Sequence, residues 1–224
     1  MINISVHPSW NNFLTEEIIN RLKKIEEKIG NNYTPDKNLV LRFLNVDVSN
    51  IKVVIIGQDP YFQKGVSSGR SFEVKTLNSW NEKFRQVSLK NIIRNIYKAY
   101  YNELLPYNEI IDRKAISLAP KEWFDFLEKQ GVLFLNTYFT CEIDKPNSHR
   151  EIWGDFVHHI IRYIEENSNP CFFLWGNEAY RLNDIIKGKK YISNHPMMSN
   201  TKSDKDFFKS NCFVETIDSI CWLK

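Results

Sequence analysis

Glycine and proline are scarce, eight of each among 224 residues, which leaves no room for a collagen-like repeat, a low-complexity tract or a linker-built chain. Cysteine is scarcer. Cys141, Cys171, Cys212 and Cys221 stand far apart and form no C-x-x-C, so neither a zinc site nor a redox pair is signalled, and four reduced, buried thiols are expected. No segment approaches the roughly 20 apolar residues of a membrane span. The stretch from Met1 to Trp10 has neither the basic opening nor the apolar run of a secretory signal, so the expected location is the cytosol, or the nucleus in a eukaryote. A charge excess is also missing: 30 Lys and Arg face 27 Asp and Glu, a formal +3, which neither demands nor excludes a nucleic-acid partner.

What remains is the composition of a packed protein. Hydrophobic residues make up 42% and aromatics 14%, enough for one substantial core. A single domain over 1–224 is expected, with a monomer as the default state.

Leu14, Ile18, Ile19, Leu22, Ile25 and Ile29 recur at helical spacing and stop at Gly30, which predicts an amphipathic opening helix. A turn is expected around Tyr33–Asp36, and the apolar stretch Leu39–Leu44 suits another helix. Four short runs, Lys52–Ile56, Val132–Leu135, Cys171–Trp175 and Lys190–Ser193, look like strands apolar on both faces. Helical patterns at Ser88–Tyr101, Glu122–Lys129, Trp153–Glu166 and Glu178–Ile186 lie between or beside them. This alternation predicts an α/β fold: a three-layer sandwich with a central, mainly parallel four-stranded sheet.

In such a sheet, ligands bind outside the carboxyl ends of the strands, so the residues there are the first candidates. They are Gly57-Gln58-Asp59-Pro60-Tyr61, Asn136, Gly176-Asn177 and Asn194-His195-Pro196. A carboxylate, an amide and an imidazole without a nucleophile elbow suit hydrolysis through a cationic intermediate, among other chemistries. Each also has a plain structural reading, Asp-Pro as a turn former and Asn136 as a helix cap.

Val53-Val-Ile-Ile-Gly-Gln-Asp-Pro-Tyr61 resembles the water-activating loop of the family 1 uracil-DNA glycosylases, G-Q-D-P-Y-H. Further matches follow in order: Gly69 and Phe72, Ser88-Leu-Lys-Asn-Ile92, Gln130-Gly-Val-Leu-Phe-Leu-Asn-Thr137, Ser148-His149 with Trp153, Phe173-Leu-Trp-Gly176, His195-Pro196, Phe207-Phe208 and Ile220-Cys-Trp222. The resemblance implies hydrolysis of the N-glycosidic bond of uracil in single- or double-stranded DNA, opening base-excision repair, with no metal or organic cofactor. It implies catalytic roles for Asp59, orienting water and steadying the sugar cation, and for His195, donating to a uracil oxygen. Asn136 would read the edge of uracil, Phe72 would stack on it, Tyr61 would exclude a 5-methyl group, and the main-chain amide of Gln58 would help hold the base. Some members of the family are targets of acidic, DNA-mimicking inhibitor proteins.

The phosphate-handling positions depart from the family pattern. Ser88 remains, but Asn177, Met197 and Asn200 stand where serines are usual; Ser199 aligns with the wedging leucine, and Met198 beside it is the apolar substitute. Phe62 replaces a histidine, and Gln86-Val87 replace prolines. These departures predict a preference for single-stranded or weakened sites, where extrusion costs least. Two alternatives stand beside the main reading: a docking module with decayed catalysis, and a glycosylase for another base. Charge is also uneven. Lys75–Lys98 holds six basic residues against one acidic, and Lys187–Lys209 six lysines against two acidic residues, around the two loops assigned to phosphates.

Overall fold

The computed structural model describes residues 6–199 and 202–224. Its strands, numbered along the chain, are β1 (Tyr33–Thr34), β2 (Val53–Gly57), β3 (Val132–Asn136), β4 (Cys141–Glu142), β5 (Cys171–Trp175) and β6 (Lys190–Ser193). The helices are α1 (Glu16–Ile29), α2 (Val87–Tyr101), α3 (Tyr107–Asp112), α4 (Pro120–Lys129), α5 (Arg150–Trp153), α6 (Phe156–Asn167) and α7 (Asn177–Tyr180).

The four long strands form one all-parallel sheet in the order β3-β2-β5-β6. β-branched residues fill β2, and alternate side chains enter opposite cores. Val54 and Ile56 pack with α1 and α6 through Leu22, Ile25, Ile160 and Ile161. Val53 and Ile55 pack with α2 and α4 through Ile93, Ile96, Trp123 and Phe124. Each of these aliphatic side chains contributes about 1.5–3 kcal/mol by leaving water, and the two cores together hold the sheet between helical layers.

Local signals set the helix ends. Thr15 Oγ1 accepts from the Ile18 N–H at 3.3 Å, with Glu16 and Glu17 in the first turn, where acidic groups offset the helix dipole. Pro120 opens α4, while Glu122 reaches back to the Ala119 N–H at 3.3 Å.

Several expectations require correction. The Tyr33–Asp36 turn contains β1, which pairs antiparallel with β4; two residues carry too little periodicity to register as a strand. Leu39–Leu44 holds parts of two 3₁₀ turns, Lys37–Leu39 and Arg42–Asn45. The Trp153–Glu166 pattern is split at Gly154, whose φ is 52°, into α5 and α6. The Glu178–Ile186 pattern is helical only to Tyr180 and continues as turns, and α3 was not anticipated. β6 is an edge strand with a half-exposed face, Ile192 being 39% accessible, rather than apolar and buried on both sides. All four thiols are free, but only Cys141 and Cys212 are buried; Cys171 is half-buried and Cys221 exposed. Among the described residues, no helix is long and apolar enough to cross a membrane.

Candidate active site

β2 connects to β3 on one side, whereas β5 and β6 lie on the other, so the topological switch falls between β2 and β5. Register places Gly57 beside Asn136 and Trp175 beside Ser193, which brings the four strand ends to one edge. There a cavity of about 230 Å³ is lined by Gln58, Asp59, Tyr61, Phe72, Asn136 and His195, with Ser88 and Met197 on its wall. The pieces are distant in sequence and meet because four parallel strands end together.

Asn136 is 2% exposed, and its Oδ1 is buried with no hydrogen-bond partner. A buried amide oxygen left unpaired is costly, and this one lies on the cavity. Gly57 makes room for it: a Cβ at that position would lie 2.6 Å from Asn136 Oδ1 and 2.7 Å from Ser71 Cβ.

Asp59 Oδ2 accepts from the backbone N–H of Asn147 at 2.7 Å. Burial pushes the Asp59 carboxyl above the ordinary aspartate range, against the pull of the Asn147 N–H, while Glu178 adds a smaller push in the same direction as burial. Asn147 is held at φ 64°, and its Oδ1 accepts from Gln58 Nε2. The carboxylate is thus braced from a loop almost ninety residues away.

His195 Nδ1 accepts from the Met197 N–H at 3.2 Å, which leaves the neutral ring its proton on Nε2. Burial holds the imidazole pKa below its usual value, reinforcing that neutral form. Gly176, at φ 86°, lies under the ring; a Cβ there would approach His195 Cβ to 2.8 Å. Phe72 adopts φ 64°, uncommon for an aromatic residue. Its carbonyl accepts from the Tyr61 hydroxyl at 3.3 Å, and its ring centroid lies 6.1 Å from that of His195. Burial raises the Tyr61 pKa, so its hydroxyl stays protonated.

Comparison with known proteins shows the family of the chain. The model of the Uracil DNA glycosylase superfamily matches residues 44–220. The chain belongs to that superfamily. The uracil-DNA glycosylase of Borreliella burgdorferi is 31% identical, the match covering 97% of this chain and 94% of the relative. A wild-type UNG crystal structure from Nitratifractor salsuginis shares the fold, with TM-score 0.68 at 21% identity over 86% of this chain and 84% of that one. The crystal structure of mimivirus uracil-DNA glycosylase gives TM-score 0.64 at 26% identity over 86% of this chain and 69% of that chain. A variant of the mimivirus enzyme was solved in complex with UGI.

Two sets of residues supporting this glycosylase cavity were given no role by the sequence, although Asn91 lies in the Ser88–Ile92 segment that resembles the family. On one stripe of α2, Asn91 Nδ2 donates to the Pro196 carbonyl at 2.7 Å, Asn95 Nδ2 to the Phe207 carbonyl at 2.9 Å and Lys98 Nζ to the Phe208 carbonyl at 2.6 Å. Their helical spacing, i, i+4 and i+7, was visible, but their partners more than a hundred residues away were not. The second set surrounds Arg70, beside Phe72. Its side chain is 2% exposed and meets Glu73 at 3.2 Å, Asp125 at 2.6 Å and Glu128. Burial works against this charge, yet the carboxylates outweigh it and raise the guanidinium pKa.

The remaining sequence candidates lie on the rim. Ser88 sits in the first turn of α2, and Asn177 opens α7, exposed. In the 3₁₀ turn Pro196–Met198, Met197 is 58% and Met198 64% exposed. Ser199 has its Oγ buried without a partner, so within this turn the apolar groups facing outward are the two methionines. Asn200 lies outside the described residues. Several basic residues counted toward a DNA face have internal tasks: Lys98 as above, Lys190 on the Asn183 and Ile186 carbonyls, and Arg94 on the Leu105 carbonyl.

Proposed function

We propose that this chain excises uracil from DNA by hydrolysing the bond between uracil and deoxyribose, leaving an abasic site and opening base-excision repair. The observation that carries this reading is the unpartnered Asn136 amide oxygen in the same cavity as a half-buried carboxylate and an Nε2-protonated imidazole. Uracil offers an N–H donor at N3 next to the O4 acceptor, and one amide satisfies both. Cytosine reverses that pattern and leaves Asn136 Oδ1 facing another acceptor. Tyr61 stands on the cavity wall as the group that rejects a 5-methyl substituent.

The base must leave the duplex stack to reach the cavity, at a cost of a few kcal/mol. As the glycosidic bond breaks, its electron pair goes to the base and positive charge develops on the sugar, as in glycoside hydrolysis. The Asp59 carboxylate steadies that cation and orients the attacking water, taking up its proton. His195 Nε2–H donates to the uracil oxygen as negative charge builds there; an imidazole held neutral donates without protonating the base. Phe72 stacks on the ring. These interactions strengthen as charge separates, which is what lowers the barrier.

The rim supports a second part of the proposal, a preference for single-stranded or weakened sites. Met197 cannot donate to a phosphate, and a pair of flexible thioether chains replaces a fixed wedge. A protein that presents carboxylates in place of phosphates would compete for this face, and UGI is the reagent to try. The place of action would be wherever the DNA is, the cytosol or a nucleus.

The test is incubation of purified protein with oligonucleotides carrying uracil, thymine or hypoxanthine, followed by alkaline cleavage. Cleavage of the uracil strand alone is expected. An uncleaved uracil strand would point to the docking-module alternative, and cleavage at hypoxanthine to a different base pocket. Equal rates on paired and single-stranded uracil would end the strand-preference claim.

A further inference from the structure

Arg70 stands two residues before Phe72, and its guanidinium is taken almost wholly out of water. All three of its nitrogens are engaged. Nε donates to Glu128 Oε1 at 3.1 Å and Nη2 to Glu128 Oε2, a bidentate pairing, while Nη2 also donates to Asp125 Oδ1 at 2.6 Å. Nη1 donates to both oxygens of the buried Glu73, at 3.3 and 3.2 Å. Arg42 lies 3.6 Å from Asp125 and 3.5 Å from Glu128, and Lys121 lies 2.6 Å from Asp125, so three cations face three carboxylates. Such a network is a weak source of stability, because the cost of desolvating the ions offsets most of their attraction and well-packed apolar side chains often serve as well. Its place in the fold points to another use.

The ion pair between Arg70 and Glu73 closes over Ser71 and Phe72. Phe72 is held at φ 64°, a left-handed conformation in which Cβ crowds the following carbonyl oxygen, so an aromatic residue keeps it only where its surroundings over-determine it. Two neutral hydrogen bonds contribute: Ser71 Oγ donates to the Ile55 carbonyl of β2 at 3.2 Å, and the Tyr61 hydroxyl to the Phe72 carbonyl at 3.3 Å. The link from Arg70 to Glu73 is charge-assisted and spans the strained residue, and the bonds to Asp125 and Glu128 fasten it to α4. Resting on the functional reading above, we propose that Arg70 and Glu73 are a positioning pair for uracil recognition. They hold the Phe72 backbone in its left-handed conformation, and so its ring on the cavity wall where the base stacks. Stacking acts on the bound base before and during bond cleavage alike, so the pair governs affinity for uracil and hardly the rate of the chemical step.

The test is the double variant Arg70→Met, Glu73→Met. It removes one cation and one carboxylate together, so Arg42 and Lys121 still face Asp125 and Glu128 and no buried charge is left in excess. Its melting temperature should stay near the wild-type value. KM for a uracil oligonucleotide and the inhibition constant of free uracil should each rise about 3- to 10-fold, the range of one aromatic stacking contact, with kcat within about twofold. Amide hydrogen exchange across residues 70–74 should quicken, with the rest of the chain unchanged. Wild-type values of KM and of uracil inhibition would overturn the pair's role, as would a loss confined to kcat, or a lower melting temperature with both constants unmoved. Should the double variant not fold, Arg70→Lys keeps the charge but lacks the planar fork that bonds Glu73 and Glu128 at once; a smaller rise in the same two constants is expected, and wild-type constants there would overturn it equally. If the wild type neither releases nor binds uracil, the functional reading fails, and hydrogen exchange in the same variants still decides whether the pair holds the Phe72 turn.

Discussion

The cavity and its rim are built in opposite ways. In the cavity most of the proposed chemical groups are braced: Asp59 by the Asn147 N–H, His195 by Met197 and Gly176, the loop behind His195 by Asn91, and Phe72 by Tyr61 beside the Arg70 cluster, while Asn136 Oδ1 is buried without a partner. On the rim, Asn177, Met197 and Met198 are exposed. The contrast follows from what each region must do. Charge stabilisation in a dry pocket depends on donors fixed before the reaction begins, whereas gripping a flexible polyanion tolerates substitutions whose effect is spread over many contacts.

The largest expected effect is therefore in the cavity. Asp59→Asn should slow uracil release by about 10³-fold, within the range for losing a positioned proton-transfer group, while DNA affinity, read by anisotropy, stays nearly constant. The same substitution should raise the melting temperature at neutral pH. An acid whose pKa is raised by folding is most favourable to the folded state below its unfolded pKa, and that advantage is lost as pH rises through the folded value. An uncharged side chain avoids this loss, so a lower melting temperature for Asp59→Asn would contradict the assigned environment.

Next comes His195→Leu, expected to lower kcat by about 10²-fold, as for removal of one oxyanion donor. The pH profile should separate the two groups. Single-turnover rates should fall on the acid side at a pH above the ordinary aspartate range, as Asp59 takes up a proton, and should show no break from His195 near 6.5, since burial keeps that ring neutral to lower pH. A break near 6.5 would mean that His195 acts as a cation.

A smaller effect is expected one layer out. Asn91→Leu removes the tie to the Pro196 carbonyl and should reduce kcat about 10-fold through misplacement of His195, with KM little changed. If the loss were only in thermal stability, Asn91 would be a packing residue and the bracing argument would weaken. The smallest effects belong to the rim: Met197→Ala with Met198→Ala should leave excision from single strands within about twofold and slow excision from duplex several-fold, the difference being the cost of unstacking. Equal slowing on both would show that the methionines serve the pocket rather than the duplex.

Much of this was legible in the chain itself. Two-faced apolar runs identify buried parallel strands because only a sheet covered on both sides tolerates them, and three of the four proved to be so covered. Polar residues just after the strands identified the crevice, since parallel strands end at a common edge. The failures have the same physical root. β1 and β4 exist only because they meet each other, and the helical reading of Glu178–Ile186 ignored turns fixed by tertiary contacts such as Lys190 on the Asn183 and Ile186 carbonyls.

The sequence by itself determined the alternation of strands and helices, the identity of the groups at the strand ends and the family they belong to, because periodicity and short motifs are local properties. Only the tertiary structure decided that Asn136 keeps an unpaired oxygen, that His195 carries its proton on Nε2, that Asn147 braces Asp59 and that Arg70 meets Asp125 and Glu128. Each of these depends on which distant backbone atom or side chain comes within about 3 Å, and that proximity is created by the packing of two cores against one sheet.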